Sequence, residues 1–277
     1  FGVSNQRRRH IGKIRRQKEI YARYEKNYIN LHARSVIIRV IMIEFQIAID
    51  KPMIKCDLHI HSKYSFDSLA DPEKIADLAL ARGIQCIAVA DHGNIKGSLE
   101  AAEYAKKKNL PILVIISEEV KSKQGDILAL NIKEPIPDHL PAGETLKRIK
   151  DQNGLAIIAH PFGSFCGFKE NLSNYFGQFD GVEILNGSVF SGNEEAEDFA
   201  QKHNLPFTAG SDAHFANRFV GSVWLELPLD WSPNLTPGQI IAASKEKTGK
   251  TAGRPQPFLS KALDHSFRSL TKLKNIF

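Results

Sequence analysis

Four short segments of this chain carry histidine or aspartate directly after an apolar, strand-like run. In one-letter code they are DLHIH (residues 57–61), DHG (91–93), AHP (159–161) and GSDAH (210–214). A barrel enzyme builds its site where the strands end, because the strands converge there and the loops that follow are free to vary. The four segments therefore predict one polynuclear metal centre rather than several unrelated histidines.

Strand-like and helical segments alternate from residue 53 onward. The strand-like runs cover residues 54–58, 86–90, 112–116, 127–132, 155–159, 182–185, 206–209 and 223–227. The clearest helix starts at Asp71-Pro72, and the others cover about residues 98–108, 144–152, 194–203 and 237–247. This alternation predicts an α/β fold of parallel strands joined by right-handed crossovers. A closed or distorted barrel explains the convergent donors better than an open sheet, which gathers its site at one crevice.

The charge of the chain is unevenly distributed. Residues 1–52 hold 12 Lys+Arg and 4 Asp+Glu of the totals of 37 and 31, which leaves 25 and 27, a balance of −2, for the rest of the chain. We interpret residues 1–52 as a basic leader, either a basic arm or a poorly ordered or extraneous extension. Residues 53–250 form the predicted functional domain, and residues 251–277 a C-terminal extension. The charge of the larger part gives no support to a large nucleic-acid footprint.

The cysteines and the apolar stretches favour a cytoplasmic protein without a membrane partner. Cys56, Cys86 and Cys166 are far apart, odd in number and form no CxxC pair, so neither a disulfide framework nor a zinc knot is expected. The longest apolar stretch, residues 35–49, is interrupted by Arg39 and Glu44. It is shorter than the ~20 residues that cross a bilayer.

The side chains in and between the four segments suit divalent metal ions. His59 and His61 are two residues apart at a strand end, so both imidazoles point to one face. Asp212 and His214 repeat this spacing, and such a pair suits Mn²⁺, Fe²⁺ or Zn²⁺. Further candidate donors are Asp67 in a turn-rich segment, Asp91 and His92 after the second strand, Glu118 or Glu119 after the third, Asp126 at the start of the fourth, and His160 after the fifth.

On these residues the chain resembles the PHP (polymerase and histidinol phosphatase) domain family. Residues 57–62 resemble its first motif, Asp91-His92 its second, residues 159–161 its third and residues 210–214 its fourth. The resemblance covers residues 53–227 and continues more weakly through residues 252–255. It implies a distorted (β/α)7 TIM-like barrel with two or three divalent ions, which would be Mn, Fe or Zn, and phosphoesterase activity.

The resemblance also implies a ligand set. By position, the first ion would be held by His59, His61, Glu119 and Asp212, the second by Glu119 and His160, and the third by Asp67, His92 and His214. Glu119 is preferred to Glu118 because the bridging glutamate of the family usually precedes an aliphatic residue, here Val120. Ser117 and Asp126 depart from the family, which usually has glycine and often histidine there. Aspartate can still bind an ion, and it favours a harder one.

The expected chemistry follows from the ions. Clustered divalent ions lower the pKa of a bridging water toward neutrality and neutralise phosphate oxygens, so no serine or cysteine nucleophile is required. A cation outside the metal shell should hold the phosphate oxygens that the ions leave free. Arg218, four residues after His214, is the first candidate and Arg254 the second.

The leading hypothesis is a metal-dependent phosphoesterase that hydrolyses a small phosphate monoester, with nucleotide-derived esters included. A histidinol-phosphate phosphatase and an exonuclease acting on short oligonucleotides are the alternative enzymes. A non-enzymatic alternative is a structural PHP module that serves a polymerase. The nearly complete ligand set argues against this last alternative, because a decayed module would be expected to lose ligands.

Overall fold

The computed structural model describes residues 52–214, 219–263 and 266. The predictions for residues 1–51 and for Arg218 therefore lie outside the described residues. Within them, no helix is both long enough and apolar enough to cross a bilayer. The α-helices and strands are β1 (Ile54–Ile60), α1 (Pro72–Ala81), β2 (Cys86–Val89), α2 (Lys96–Lys108), β3 (Leu113–Lys121), β4 (Asp126–Leu130), α3 (Ala142–Asp151), β5 (Leu155–Ile158), β6 (Gly181–Asn186), α4 (Asn193–Lys202), β7 (Phe207–Gly210), β8 (Val223–Leu227), α5 (Pro237–Lys245) and β9 (Lys250–Gly253).

Local sequence signals explain where the first and the last of these helices begin. Asp71 caps α1 by accepting a hydrogen bond from the backbone N–H of Glu73, and Pro72 occupies the first turn, where its missing N–H costs nothing. At α5, Thr236 and Gln239 form a reciprocal capping box. The predicted start of α1 at Asp71-Pro72 is confirmed.

The strands form one nine-stranded sheet that curls into a nearly closed barrel. Its order is β7-β6-β5-β4-β3-β2-β1-β8-β9. The end of β7 returns to β1 through a parallel bridge between Ile60 and Ala213, with a 2.7 Å hydrogen bond from Asp212 N to His59 O. Strands β1 to β7 therefore make a seven-membered ring, and β8 pairs with the first half of β1. The predicted distorted TIM-like barrel is confirmed.

The expectation of parallel strands is confirmed for the pairs β1–β2, β2–β3, β5–β6 and β6–β7 but was wrong for β4 and β8. Strand β4 is antiparallel to both β3 and β5, and β8 is antiparallel to β1 and β9. Residues 122–125 join β3 to β4, and a connection that short can only make a hairpin, because a parallel crossover needs a dozen residues or more. The reversal has a functional consequence: the first residue of β4, Asp126, lies at the same end of the barrel as the last residue of β3, Lys121.

Three apolar clusters pack against the barrel wall, one on its inner side and two on its outer side. The first fills the interior with alternate residues of the strands, such as Leu58, Ala88 and Leu128. The second packs α3 and α4 against β4 to β6, and the third packs α1 and α2 against β1 and β2. Cys56 and Cys86 are buried in the interior cluster and carry free thiols. The centre of the barrel is thus filled by apolar side chains.

Candidate metal centre

Glu119 lies at the centre of a buried cluster of imidazoles and carboxylates. Its Oε2 atom is 3.3 Å from His59 Nε2 and 3.2 Å from His61 Nε2. The same oxygen is 3.4 Å from His92 Nε2, while Oε1 is 3.0 Å from His160 Nε2. One carboxylate therefore contacts four imidazoles, with different histidines on its two oxygens, which is the arrangement of a bridging ligand.

Two further carboxylates extend the cluster on either side. Asp212 Oδ1 is 3.3 Å from His61 Nε2, and Asp67 Oδ2 is 3.4 Å from His214 Nε2. Donor atoms within 4.8 Å of one another define four overlapping groups that could each hold an ion. These groups are His59/His61/Asp212, His59/Glu119/His160, His61/Asp67/His214 and His61/His92/Glu119. The groups share members, so the cluster suits more than one ion.

The local backbone turns the first pair of histidines toward this cluster. The register of β1 with β2 shifts between Asp57 and Ile60. Before the shift Leu58 packs in the barrel interior, and after it Ile60 packs in the outer cluster against α1 and α2. Such an irregularity changes which face a side chain occupies. As a result, His59 and His61 both face the carboxylates.

The end of β7 is built for a close approach to β1. A Cβ atom on Gly210 would lie 2.3 Å from His59 Cβ and 2.6 Å from His59 N, so no side chain fits there. Two residues after it, Asp212 has a φ of 48°, and His160 has a φ of 29°. Residues other than glycine rarely adopt this left-handed region unless the surroundings hold them in it, and such strain concentrates at functional sites.

The proton positions of the imidazoles fit metal binding. The Nδ1 atom of His59 is 3.1 Å from Glu183 Oε1, that of His92 is 3.2 Å from the Glu119 carbonyl, and that of His214 is 2.9 Å from the Asp212 carbonyl. Each partner accepts a hydrogen bond from Nδ1, which leaves the Nε2 atom directed at the cluster. His59 Nε2 and His61 Nε2 lie only 3.2 Å apart, aimed at a common point. These residues fit a divalent ion.

The charges of the site also favour a cation. Burial alone favours a neutral acid, yet the hydrogen bond and the charge of His214 hold the pKa of Asp67 well below its usual value. The charge of His59 and a hydrogen bond from His61 likewise overcome burial and lower the pKa of Asp212. Burial lowers the pKa of His92 to about 3, which leaves a neutral imidazole able to donate its lone pair. Ionised carboxylates and a neutral imidazole are the forms that bind metal.

Asp126 stands apart from the donors already named. It lies on the wall of the adjoining cavity but belongs to none of the four groups. Burial, together with the charge of Glu119, raises the pKa of Asp126 to about 6. Glu118, the residue not chosen for the ligand set, points away from the site, and its Oε2 accepts a 2.8 Å hydrogen bond from Ile136 N.

Sequence reasoning missed the residues that hold the donors in place. Glu183, buried in β6, contacts His59 through Oε1, and its Oε2 accepts hydrogen bonds from His160 N and Asn186 Nδ2, both at 3.0 Å. Asp91, considered as a ligand or as an orienting residue, holds the end of β1 through two 2.6 Å hydrogen bonds to Ser62. A carboxylate on a strand directly beside a histidine-bearing strand was the signal for Glu183.

A cavity of about 430 Å³ opens beside the cluster. Arg254, the second candidate for the phosphate anchor, is exposed and does not belong to the wall of this cavity. Lysines line the cavity instead, and they were not predicted. Lys121 lies two residues after Glu119 on β3, and strand alternation puts both on one face. The basic residues in the wall are Lys121, Lys123, Lys169 and Lys261.

Comparison with known proteins agrees with this geometry. The model of the PHP domain family matches residues 57–202, which is more than half of the chain. The chain belongs to the PHP domain family. The model of the PHP-associated family matches residues 190–247 of the same PHP protein. The family predicted from the four motifs is thereby confirmed.

Relatives of this PHP protein include archaeal and bacterial chains. It is 36% identical over 144 residues to the uncharacterized protein MJ1587 of Methanocaldococcus jannaschii, covering 48% of this chain and 82% of the relative. It is 28% identical over 206 residues to the uncharacterized protein MJ0417 of the same organism, covering 70% and 81%. A 91-residue match at 31% identity covers 32% of this chain but only 7% of an error-prone DNA polymerase of Nocardia farcinica.

Solved structures share the fold of this PHP protein. A two-domain protein of Bacteroides vulgatus containing a predicted PHP-like metal-dependent phosphoesterase superposes with a TM-score of 0.61 at 18% identity, over 73% of this chain and 65% of that one. Endonuclease Q in complex with a 27-mer duplex that carries an abasic lesion superposes with a TM-score of 0.53 at 20% identity, over 74% and 60%. At these identities the likeness supports the barrel.

Proposed function

We propose that this PHP protein is a metal-dependent phosphoesterase that hydrolyses a small phosphate monoester. The observation that carries the proposal is Glu119, which contacts donors for more than one ion beside a cavity lined by lysines. Two or three divalent ions, Mn, Fe or Zn, would bind there. When bound, such ions lower the pKa of water and neutralise the charge on phosphate oxygens.

The residues of the chain have separate tasks in this proposal. Glu119 and Asp212 position the imidazoles and supply negative charge, while Glu183 fixes the proton of His59 on Nδ1. Lys121 lies on the cavity wall near His92 and Asp126, whose pKa values its charge lowers. An ammonium in that position would hold a phosphate oxygen that the ions leave free. Lys121 is therefore a further candidate for the role of phosphate anchor, beside the predicted Arg218 and Arg254.

Hydrolysis of a phosphodiester in nucleic acid is the second candidate. Its support is the structural likeness to endonuclease Q, whose solved complex contains a DNA duplex, together with the lysines at the cavity mouth. The balance of −2 in residues 53–277 disfavours a long duplex footprint but not a short single strand. Histidinol phosphate remains a candidate within the monoester class.

A phosphate-release screen with added Mn²⁺ tests the proposal. It should include nucleoside monophosphates, sugar phosphates, histidinol phosphate and a short single-stranded oligonucleotide. We expect release from at least one monoester, and loss of that release in Asp212→Asn. Asp198→Asn on α4, an exposed aspartate away from the cavity, is the matched control and should keep full activity. Cleavage of the oligonucleotide without monoester turnover would favour the second candidate, and no hydrolysis of any substrate would refute both.

A further inference from the structure

The end of the described chain reaches back to the cavity. Residues 254–263 follow the last residue matched by either family model, which is residue 247. Gln256 N donates a 2.8 Å hydrogen bond to Gly187 O, and Lys261 Nζ donates one to Val189 O. These contacts dock the segment on the loop that follows β6. The segment places Lys261 in the cavity wall, together with Val189.

Lys261 is buried, and no carboxylate of the described residues pairs with it. Its exposed fraction is 9%. An ammonium that leaves water without an opposite charge carries a large penalty. Burial accordingly lowers the pKa of Lys261. One carbonyl satisfies one of its three N–H donors, and an anion in the cavity would satisfy the others and supply the missing charge.

An aromatic surface borders the same part of the cavity. Phe165 and Phe190 belong to the wall, with ring centroids 6.2 Å apart and nearly perpendicular planes. Phe258, from the C-terminal segment, continues this surface with its ring centroid 5.4 Å from that of Phe190. Phe165 is 81% exposed and Phe258 is 75% exposed. Large aromatic side chains exposed together at the mouth of a cavity mark a binding surface.

We propose that the C-terminal segment completes the substrate site of this enzyme for an aromatic phosphate ester of the nucleoside monophosphate class. Lys261 binds a phosphate oxygen, and the surface of Phe165, Phe190 and Phe258 stacks on the base. The proposal rests on the proposed phosphoesterase function and adds to it the class of the leaving group. Base–aromatic stacking tolerates different bases because each base has a π-face, so the surface selects for a ring rather than for one base.

The test compares a substrate with a ring and one without. Adenosine 5′-monophosphate and glycerol 3-phosphate are each turned over by the metal-loaded full chain and its variants. Lys261→Met should raise KM about 10-fold for both substrates, because a hydrogen bond to a charged group is lost. Phe258→Ala should raise KM about 10-fold for the nucleotide alone, because one stacking contact is lost. The metal content should stay at the wild-type value in both variants.

Each of the two substitutions has a control variant of matched chemistry. Lys250→Met on β9 removes an exposed lysine, and Leu259→Ala removes a 71% exposed apolar side chain next to Phe258. Neither residue lines the cavity, so neither variant should change KM. If Phe258→Ala affects both substrates equally, or if Lys261→Met leaves KM unchanged while the wild type is active, the subsite is refuted and the phosphoesterase function stands.

Calorimetric titration separates failure of the subsite from failure of the function. Adenosine 5′-monophosphate and inorganic phosphate are titrated into the wild type and into both variants. If the wild type hydrolyses nothing but binds the nucleotide, and both variants bind it about 10-fold more weakly, the subsite is supported and the hydrolytic function is not. Equal nucleotide affinity in all three proteins, or no binding by the wild type, would overturn the subsite.

Discussion

Replacing Glu183 by glutamine tests whether a buried carboxylate behind the donors controls metal binding. Three donors point at this carboxylate: His59 Nδ1 at Oε1, and His160 N with Asn186 Nδ2 at Oε2. Glutamine has the same shape but only one oxygen. If its NH₂ group faces His59, the imidazole proton must move to Nε2, which removes the lone pair from the cluster. If its NH₂ group faces the other side, two buried donors lose their acceptor.

The loss of metal affinity that either orientation of the glutamine causes can be calculated. A buried hydrogen bond to a charged group is worth about 1.5–3 kcal/mol, and the loss of a carboxylate that orients a metal ligand lowers metal affinity about 10- to 100-fold. The two ranges agree, because a 10- to 100-fold change equals about 1.4–2.7 kcal/mol. We therefore expect Glu183→Gln to weaken Mn²⁺ or Zn²⁺ binding by that factor while the barrel stays folded.

Competition with a chromophoric chelator measures the metal affinity, and circular dichroism checks the fold. Glu195→Gln on α4 is the matched control, because that side chain is exposed and lies outside the cavity wall. It should leave the affinity unchanged. A metal affinity within about twofold of the wild type in a folded Glu183→Gln protein would refute the reasoning, since a twofold change equals only about 0.4 kcal/mol.

Three further predictions follow from single residues. Gly210→Ala places a methyl group 2.3 Å from His59 Cβ and should lower the free energy of unfolding in urea by about 2 kcal/mol or more. The control Gly143→Ala in α3, where no atom lies closer than 3.4 Å, should raise that free energy by up to about 1 kcal/mol. Equal effects of the two substitutions would refute the steric argument. Burial raises the pKa of Glu118 to about 7, so the folded state holds its proton more tightly than the unfolded state and stability falls as pH rises from about 4.5 to about 7. Because glutamine does not titrate, the stability of Glu118→Gln relative to the wild type, measured by thermal unfolding, should rise by up to about 3 kcal/mol between pH 4.5 and pH 8. A fall in this relative stability over the same pH range would contradict the pKa shift. Lys121→Met should keep the full metal content and raise KM for a phosphomonoester about 10-fold, and loss of metal instead would assign Lys121 to the support of the ligands.

The residues that the sequence could predict are those that directly follow apolar strands. His59 and His61, and likewise Asp212 and His214, are two residues apart after such runs, and this spacing predicts that each pair faces one side. In the structure, the register shift in β1 and the left-handed backbone of Asp212 contribute to that orientation. Their convergence follows because parallel strands finish at the same end of a barrel. The antiparallel β4 was not predicted, because the apolar run 112–116 hides the continuation of β3 to Lys121 and with it the short connection 122–125.

The rest depends on contacts that join distant parts of the chain. Glu183 lies within a strand-like run, and only its position beside His59 distinguishes it from an acidic residue on an outer face. Lys261 reaches the cavity because a C-terminal segment docks on the loop after β6, and no local pattern predicts that docking. Arg218, chosen because it follows His214 by four residues, lies outside the described residues, so its role as a phosphate anchor stays a prediction.

The metal content of the purified chain tests the central claim most directly. The protein is reconstituted with Mn²⁺, freed of loosely bound ions by gel filtration, and measured by elemental analysis alongside Asp212→Asn. Four donor groups, each of which overlaps others through Glu119, His59 or His61, predict two to three equivalents per chain in the wild type and fewer in the variant. Fewer than one equivalent in the wild type, or equal content in the two proteins, would contradict a polynuclear centre at the end of this barrel.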